Sequence, residues 1–531
     1  MKKIVLITVI AAVILLFTSQ TSPNNVNGFT AYPGSFEILN RFQGRSNVLK
    51  VDRSKADWYI VQYPLGQYRG KKILIEFTAD VWIDAAGYSP SLLWQVNDHP
   101  KHPLVSILND PVPKQWIPTS GRVILNITQN FSFLHLNGHG HPANANIYIS
   151  NPSIKITEGV DYTPDFSLIP LKDIYKNDFL MGNIVDWNEV GNTGKHFDLI
   201  KHHFNIISTG PPFMEDLTPL NKGGAYRFTE ADNLINQYIR NNIQIFGHVF
   251  VMPNKPLPNW FYEGTRAEVI QNMNEYITTV VRHFKGRINA WDVVNEAVRD
   301  GLSARDARRD WKDNLYGSPD RPNLWNPKNI WYEKIGPDYI ELAFRAARAA
   351  DPDIKLYYNE NSLELNLHKT DVVVKMIKDI NDRYKKETGG TRNLIDGVGT
   401  QMHIWTSDLN INNVRSHFEK LSSLGIEIAV TEMDVPGKAY YDGIVKYGYD
   451  TDMSERDAIA QALVYARIMQ VIKEYSAHIT HVTFWGLDDN TSWLSSLNPA
   501  LFDWKLNAKH AFHAVSDPDS FIRQYGGSTR R

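Results

Sequence analysis

Two short stretches, Trp291-Asp292-Val293-Val294-Asn295-Glu296 and Ile426-Glu427-Ile428-Ala429-Val430-Thr431-Glu432-Met433-Asp434, each close a largely apolar run with a carboxylate. Such a run reads as a buried strand, and a barrel or open parallel sheet keeps its reactive groups at the strand ends. If both strands belong to one barrel, Glu296 and Glu432 meet at the same mouth. Two carboxyl groups about 5 Å apart suit retaining hydrolysis of a glycosidic bond, one as nucleophile and one as acid and then base. A gap of about 6.5 to 9.5 Å leaves room for a water and inverts the product. Like charges at close range push their titrations apart, so such a pair can hold one protonated and one ionised group near neutral pH.

Other strand ends add sugar-binding chemistry. His248 follows "IQIFG", Asn359 and Glu360 follow "KLYY", His403 follows "GVGTQM", Asp434 follows Glu432 by two residues, Trp485 sits in "TFWG" and Trp493 in "DDNTSWL". Indole faces stack on the apolar faces of pyranose rings, while amides, imidazoles and acids take the hydroxyls. One such residue is commonplace in a packed core, but several strand ends carrying them together point to a glycan cleft. Metal chemistry is not indicated. His202 and His203 are adjacent and point to different faces, and no HExxH or HxH spacing occurs near the acids. There is no GxxxxGK[ST] phosphate cradle, and "KKETGGTRN" reads as a turn. No cofactor is expected.

The elements that must position these groups fall into two textures. Residues 26–165 alternate with period two in "KKILIEFTADVWIDA", "GRVILNITQNFSFLHLNG" and "NANIYISNPSIKITE", punctuated by Pro and Gly. That pattern predicts an all-β sandwich or jelly roll. Residues 171–515 alternate helical spacing, as in Ile270, Met273, Ile277, Val280, Val281 and Phe284, with short apolar runs such as "NIQIFGHVF" and "HVTFWGL". The expectation is a (β/α)8 barrel or a large open parallel sheet, with "SLIPLKDIYK" as the junction and 516–531 as a C-terminal tail.

Composition narrows the function further. At 531 residues the chain exceeds what one core sustains, and a formal net charge of -2 provides no field for nucleic acid or an anionic membrane surface. Lys2 and Lys3 precede an apolar stretch from Ile4 to Phe17 and then small and polar residues, the layout of a signal peptide over 1–23. The chain has no cysteine, so disulfides and thiolate metal sites are excluded. A secreted or periplasmic bacterial protein is expected, with no stable membrane insertion after signal cleavage. A monomer is the default.

"WDVVNEA", "GVGTQMHI", "TEMDV", "HVTFWGLDDNTSW" and "LFDWKLNAKHAF" together closely resemble the family 10 glycoside hydrolases, mainly endo-1,4-β-xylanases, from "NDFLMGNIV" to about residue 515. The resemblance implies a (β/α)8 barrel and double-displacement hydrolysis of β-1,4-xylan with retention. It implies Glu296 as acid/base after strand 4, Asn295 on the 2-hydroxyl of the reacting sugar, and Glu432 as nucleophile after strand 7. His403 would orient Glu432, His248 would contact the sugar at the -1 subsite, and Trp485 and Trp493 would form aromatic walls.

Departures from the family pattern stand beside these matches. After the first barrel strand the family carries a Glu-Asn pair and a Lys near a Trp; this chain reads "FNIISTGPPFMEDLTP", with Gly210, Pro211, Pro212 and Met214 in the region. After the second, a Trp and a second His give way to Met252 and Pro253. The -1 and -2 subsites are therefore expected to be remodelled. A related β-glycosidase with altered specificity and a non-catalytic glycan-binding protein remain as alternatives. A long segment, Arg299 to Lys334, carries Trp311, Trp325 and Trp331 and reads equally as an aglycone-side wall or as a loop packing its own tryptophans. The sandwich looks like the carbohydrate-binding modules that precede such barrels, with Trp58, Trp82, Trp94 and Trp116 as stacking candidates or core.

Overall fold

The computed structural model describes residues 25–31, 35–52, 54–55, 60–85, 91–97, 104–109, 111–139, 145–160, 162–185, 194–210, 217–253, 257–318, 329–406, 409–437, 453–494 and 497–527. The signal segment, Trp58, Pro211, Pro212, Met214 and Trp325 lie outside the described residues. The chain divides into two compact units near residue 161.

The first unit is an antiparallel sandwich of β1 (Phe36–Phe42), β2 (Arg45–Asp52), β3 (Val61–Pro64), β4 (Lys72–Ile83), β5 (Ser91–Val96), β6 (Leu104–Asn109), β7 (Ile117–Asn126), β8 (Phe133–His139) and β9 (Asn146–Glu158). One sheet runs β1-β2-β9-β4-β7 and the other β3-β8-β5-β6. Successive side chains on a strand alternate faces, so Ile73, Ile75, Phe77, Val81 and Ile83 of β4 all enter the core between the sheets. Trp94 belongs to that core as well, with its Nε1 donating to Thr119 Oγ1 at 3.2 Å. Trp82 and Tyr148, opposite each other across β4 and β9, take the other face. There they join Phe42 and Trp116: Phe42 stacks on Tyr148 at 3.9 Å, and the Trp82 and Trp116 rings lie 5.7 Å apart.

The second unit is a closed parallel barrel of β10 (Leu180–Val185), β11 (Ile206–Thr209), β12 (Gln244–Gly247), β13 (Ala290–Asn295), β14 (Lys355–Glu360), β15 (Gly397–Thr400), β16 (Glu427–Met433) and β17 (Ile479–Phe484). Helices follow the strands and bury one stripe each against them. In the helix Arg266–His283, Val269, Met273, Tyr276, Ile277, Val280 and Val281 are buried, while a Thr265/Glu268 capping box starts the first turn. Among the described residues no helix is long and apolar enough to cross a membrane.

Three sequence expectations change. The run "NDFLMGNIV" contains the first barrel strand, so the departures around Gly210 and at Met252 and Pro253 follow the second and third strands, not the first and second. The segment read as a tail from 516 contains the helix Pro518–Tyr525, whose Phe521 packs with Ala462, Leu463, Ala466 and Ala514. In the long segment after Glu296, Trp311 and Trp331 are buried core residues, with Trp311 Nε1 donating to Asp379 Oδ2 at 2.8 Å. These two tryptophans anchor the segment to the barrel unit, Trp311 through Asp379 and Trp331 against Tyr262.

Candidate active site

Both acid-bearing strands are irregular where the acids lie. The β13–β14 register shifts between Asp292 and Val294, and the β16–β17 register shifts between Val430 and Met433. Such irregularities re-aim side chains at strand ends. Glu296, the residue after β13, has φ of +54°, a left-handed conformation uncommon for residues with a side chain. Met402, just before His403, is also left-handed, at +62°.

Two residues between the acids touch both of them. Asn359, at the end of β14, accepts the Glu296 amide on its carbonyl at 3.0 Å and donates its side-chain Nδ2 to Glu432 Oε1 at 2.7 Å. Gln401, after β15, accepts the Glu432 amide on its carbonyl at 3.1 Å. Its Nε2 donates to Glu296 Oε1 at 2.9 Å and to Asn295 Oδ1 at 3.0 Å. The Asn359 amide is fixed in turn by Thr431, whose hydroxyl donates to Oδ1 at 2.6 Å. Only glycine fits beside it: a Cβ on Gly399 would stand 2.3 Å from Asn359 Oδ1 and 2.8 Å from Thr431 Cγ2.

His403 completes the nucleophile side. Its Nε2 lies 3.3 Å from Glu432 Oε2 and its Nδ1 3.0 Å from Asp434 Oδ1, the latter an ion-pair contact without hydrogen-bond alignment. Burial works against the imidazolium, but the Asp434 and Glu432 carboxylates outweigh it and hold the His403 pKa well above its ordinary value. The two carboxylates thus favour the charged imidazolium form of His403. Asp434 also accepts from Trp493 Nε1 at 2.8 Å, which anchors the indole while 55% of Trp493 remains exposed at the mouth.

The opposite wall is His248 and Trp485. His248 Nδ1 lies 2.8 Å from Asp292 Oδ2, and its ring meets the edge of Trp485 at 5.3 Å. Burial raises Asp292 to about 6 against the opposing pull of His248, with Glu432 and Glu296 adding to the rise. Asn183 of β10 donates to the Gly486 carbonyl at 3.3 Å and so holds the turn that follows Trp485.

The structure thus gathers Glu296, Glu432, Asn295, Asn359, His403, Asp434, His248, Trp485 and Trp493 at the C-terminal ends of the barrel strands. Asn359 and Asp434 are buried and turned toward other protein groups, so they orient the site. Gln401, Thr431, Asp292 and Asn183 were not singled out from sequence. Gln401 had a signal, two residues before His403 in "TQMH"; the others act through cross-strand register.

Residues 170–518 match the sequence profile of glycosyl hydrolase family 10. The chain is 33% identical over 390 residues to exoglucanase XynX of Acetivibrio thermocellus, covering 70% of this chain and 31% of that protein. It is 34% identical over 390 residues to endo-1,4-beta-xylanase A of Thermoanaerobacterium saccharolyticum, covering 70% and 29%. The chain therefore spans about a third of the length of these curated relatives. Among solved structures it resembles a GH10 xylanase from termite gut that contains a bacterial Ig-like domain. The TM-score is 0.58 at 29% identity, with 72% of this chain and 85% of that chain covered. It also resembles an intracellular xylanase of Thermoanaerobacterium saccharolyticum solved with xylotriose, at TM-score 0.54 and 32% identity, covering 66% and 100%. With its barrel, the order of its strand-end residues and this breadth of similarity, the chain belongs to glycosyl hydrolase family 10.

Proposed function

We propose that this chain is a retaining endo-1,4-β-xylanase. The observation that carries the reading is the double tie of Asn359 and Gln401, each bonded to both Glu296 and Glu432. Glu432, held by His403 and Asn359, attacks the anomeric carbon as Glu296 protonates the leaving oxygen. In the second step Glu296 takes a proton from water, the water oxygen bonds to the anomeric carbon, and Glu432 leaves as carboxylate. Asn295 would hold the 2-hydroxyl of the reacting sugar, and Trp485 and Trp493 would face its ring.

A second reading, a β-glycoside hydrolase with shifted specificity, is supported by Met252 and Pro253 and by "GPPFMED" in place of the polar glycone ligands. A polysaccharide panel with products sized by chromatography separates the two. Short xylo-oligosaccharides from plain xylan are expected; activity confined to decorated xylan, β-glucan or mannan favours the second reading. Silence across the panel, with binding retained, points to a glycan-binding protein.

The same proposal includes export to the periplasm or medium, from the 1–23 pattern, and action as a monomer. It also assigns the sandwich, residues 26–165, a carbohydrate-binding role on the face that carries Phe42, Trp82, Trp116 and Tyr148. Those rings are rimmed by hydrogen-bonding groups: Arg45 pairs with Asp80 at 3.2 Å, and Asn146 donates to Asp84 at 3.0 Å.

A further inference from the structure

Between β14 and the helix Leu367–Thr388 lies an ion pair that no reaction step above uses. Glu360 and Lys369 are both fully buried, with Lys369 Nζ 2.9 Å from Glu360 Oε1. The same ammonium donates to Asn361 Oδ1 at 2.9 Å and to Asp300 Oδ1 at 2.7 Å. The second Glu360 oxygen, Oε2, accepts from the Val298 amide at 3.0 Å and from the Tyr358 hydroxyl. That hydroxyl accepts from the Ala297 amide at 3.2 Å. Asp300 is held from its other side by Tyr316, whose hydroxyl donates to Oδ2 at 2.9 Å and accepts the Asp300 amide at 3.2 Å.

These bonds converge on the residues that directly follow Glu296. A left-handed conformation at a residue with a side chain persists only when the surroundings over-determine it. At Glu296 the anchors before the turn are Asn359 and Gln401, and the anchors after it are the Glu360 carboxylate, Tyr358 and Lys369. A buried ion pair contributes little net stability, because desolvation offsets its attraction. Its use here calls for a role other than stabilisation, and the amides it binds supply one.

We propose that the buried Glu360–Lys369 pair is the positioning device of the acid/base: it clamps residues 297–300 and so keeps the Glu296 carboxyl aimed at the leaving-group oxygen. The inference rests on Glu296 being the acid/base of the proposed reaction. Glu360 is a positioning residue; its full burial keeps it from substrate. The clamp therefore matters in proportion to how much the leaving group needs a proton. A sugar alkoxide leaving from xylan needs one, and 2,4-dinitrophenolate does not.

The test compares wild type, Glu360→Gln and Asp300→Asn on xylan and on 2,4-dinitrophenyl β-xylobioside, reading kcat/KM, with Glu296→Ala as reference. Glu360→Gln is expected to lower kcat/KM on xylan up to ~100-fold, the scale of a misplaced catalytic group, and on the aryl xylobioside less than about threefold. Asp300→Asn, whose side chain is 59% exposed and whose loss leaves the core intact, should show the same skew at about threefold. Equal losses on both substrates, or none on xylan, overturn the proposal. A readout independent of turnover is hydrogen exchange. Faster exchange of the Ala297 and Val298 amides in Glu360→Gln, with the β16 amides unchanged, is expected, and unchanged exchange at 297 and 298 counts against the clamp. If Glu296→Ala itself keeps full activity on xylan, the acid/base reading fails first. If it loses xylan but keeps the aryl substrate while Glu360→Gln loses neither, only the clamp fails.

Discussion

In the sandwich, Trp82, Trp116, Phe42 and Tyr148 gather ring against ring on one face of a sheet. Trp116 also donates its Nε1 to the Gln43 carbonyl at 2.9 Å, whereas at the barrel mouth the indoles meet polar side chains of the site itself: Trp493 bonds Asp434, and Trp485 packs against His248. The sandwich cluster is spread over β1, β4 and β9 and the residue before β7, with Tyr148 buried beneath the other rings. The mouth is a set of fixed vectors, in which Asn359 and Gln401 tie side chain to side chain across several strands. The first arrangement suits contact with a chain that slides; the second suits a reaction whose atoms must be held within fractions of an ångström.

The largest expected difference between the two regions is catalytic. Glu432→Ala and Glu296→Ala should each cut xylan turnover by ~10³-fold or more, because they remove the covalent and the proton-transfer steps. Reducing-sugar release reads this directly, and unchanged turnover in either variant removes the assignment. Next comes Gly399→Ala, whose new methyl collides with Asn359 and Thr431. It should lower kcat by about tenfold or more and stability by roughly 1–3 kcal/mol, the range for overpacking, as read by kinetics together with thermal melting. A stability loss with kcat intact would show that Asn359 is not needed to hold Glu432.

Smaller, and confined to the sandwich, is the effect of Trp82→Ala and Trp116→Ala. Retention on insoluble xylan should fall about tenfold, the scale of one or two lost stacking contacts, while kcat/KM on a short soluble substrate stays at the wild-type value. Loss on both substrates, or on neither, would erase the proposed division between the two regions.

Smallest is a pH effect seated in the barrel. Burial lowers His203, His417 and His481 from 6.5 to about 3, so between those values the unfolded chain binds protons that the folded chain refuses. Stability then falls as pH falls through that window. Burial raises Glu360 and Glu364 from 4.5 to about 7 and Asp292 and Asp489 from 3.8 to about 6, which acts in the opposite sense within those windows. These four acids offset the three histidines above about pH 4, so the histidine effect should appear as a fall in melting temperature below that value. His417→Gln should make that slope shallower, and an unchanged slope would contradict the cause given.

Much of the fold was legible because each unit has its own period: two in the sandwich, helical spacing alternating with short runs in the barrel. Glu296 and Glu432 were legible because each closes an apolar strand, where a charge has no packing role. Trp94 and Trp82 show where legibility stopped. Both lie on strands of alternating pattern, and only the sheet pairing tells which one enters the core. His203 illustrates the same limit: its ring packs between Phe502 and Phe512, contacts made by residues some 300 positions away. The network of Asn359, Thr431 and Gln401 depends on strand register, set by the closed barrel rather than by any local pattern.

The measurement that meets the central claim most directly is the anomeric configuration of the first products released from xylan, followed by proton NMR during the earliest turnover with Glu432→Ala as control. Covalent attack by Glu432 predicts the β-anomer first, with the α-anomer appearing only by mutarotation. The α-anomer appearing first would contradict covalent attack by Glu432 and require a water between the acids.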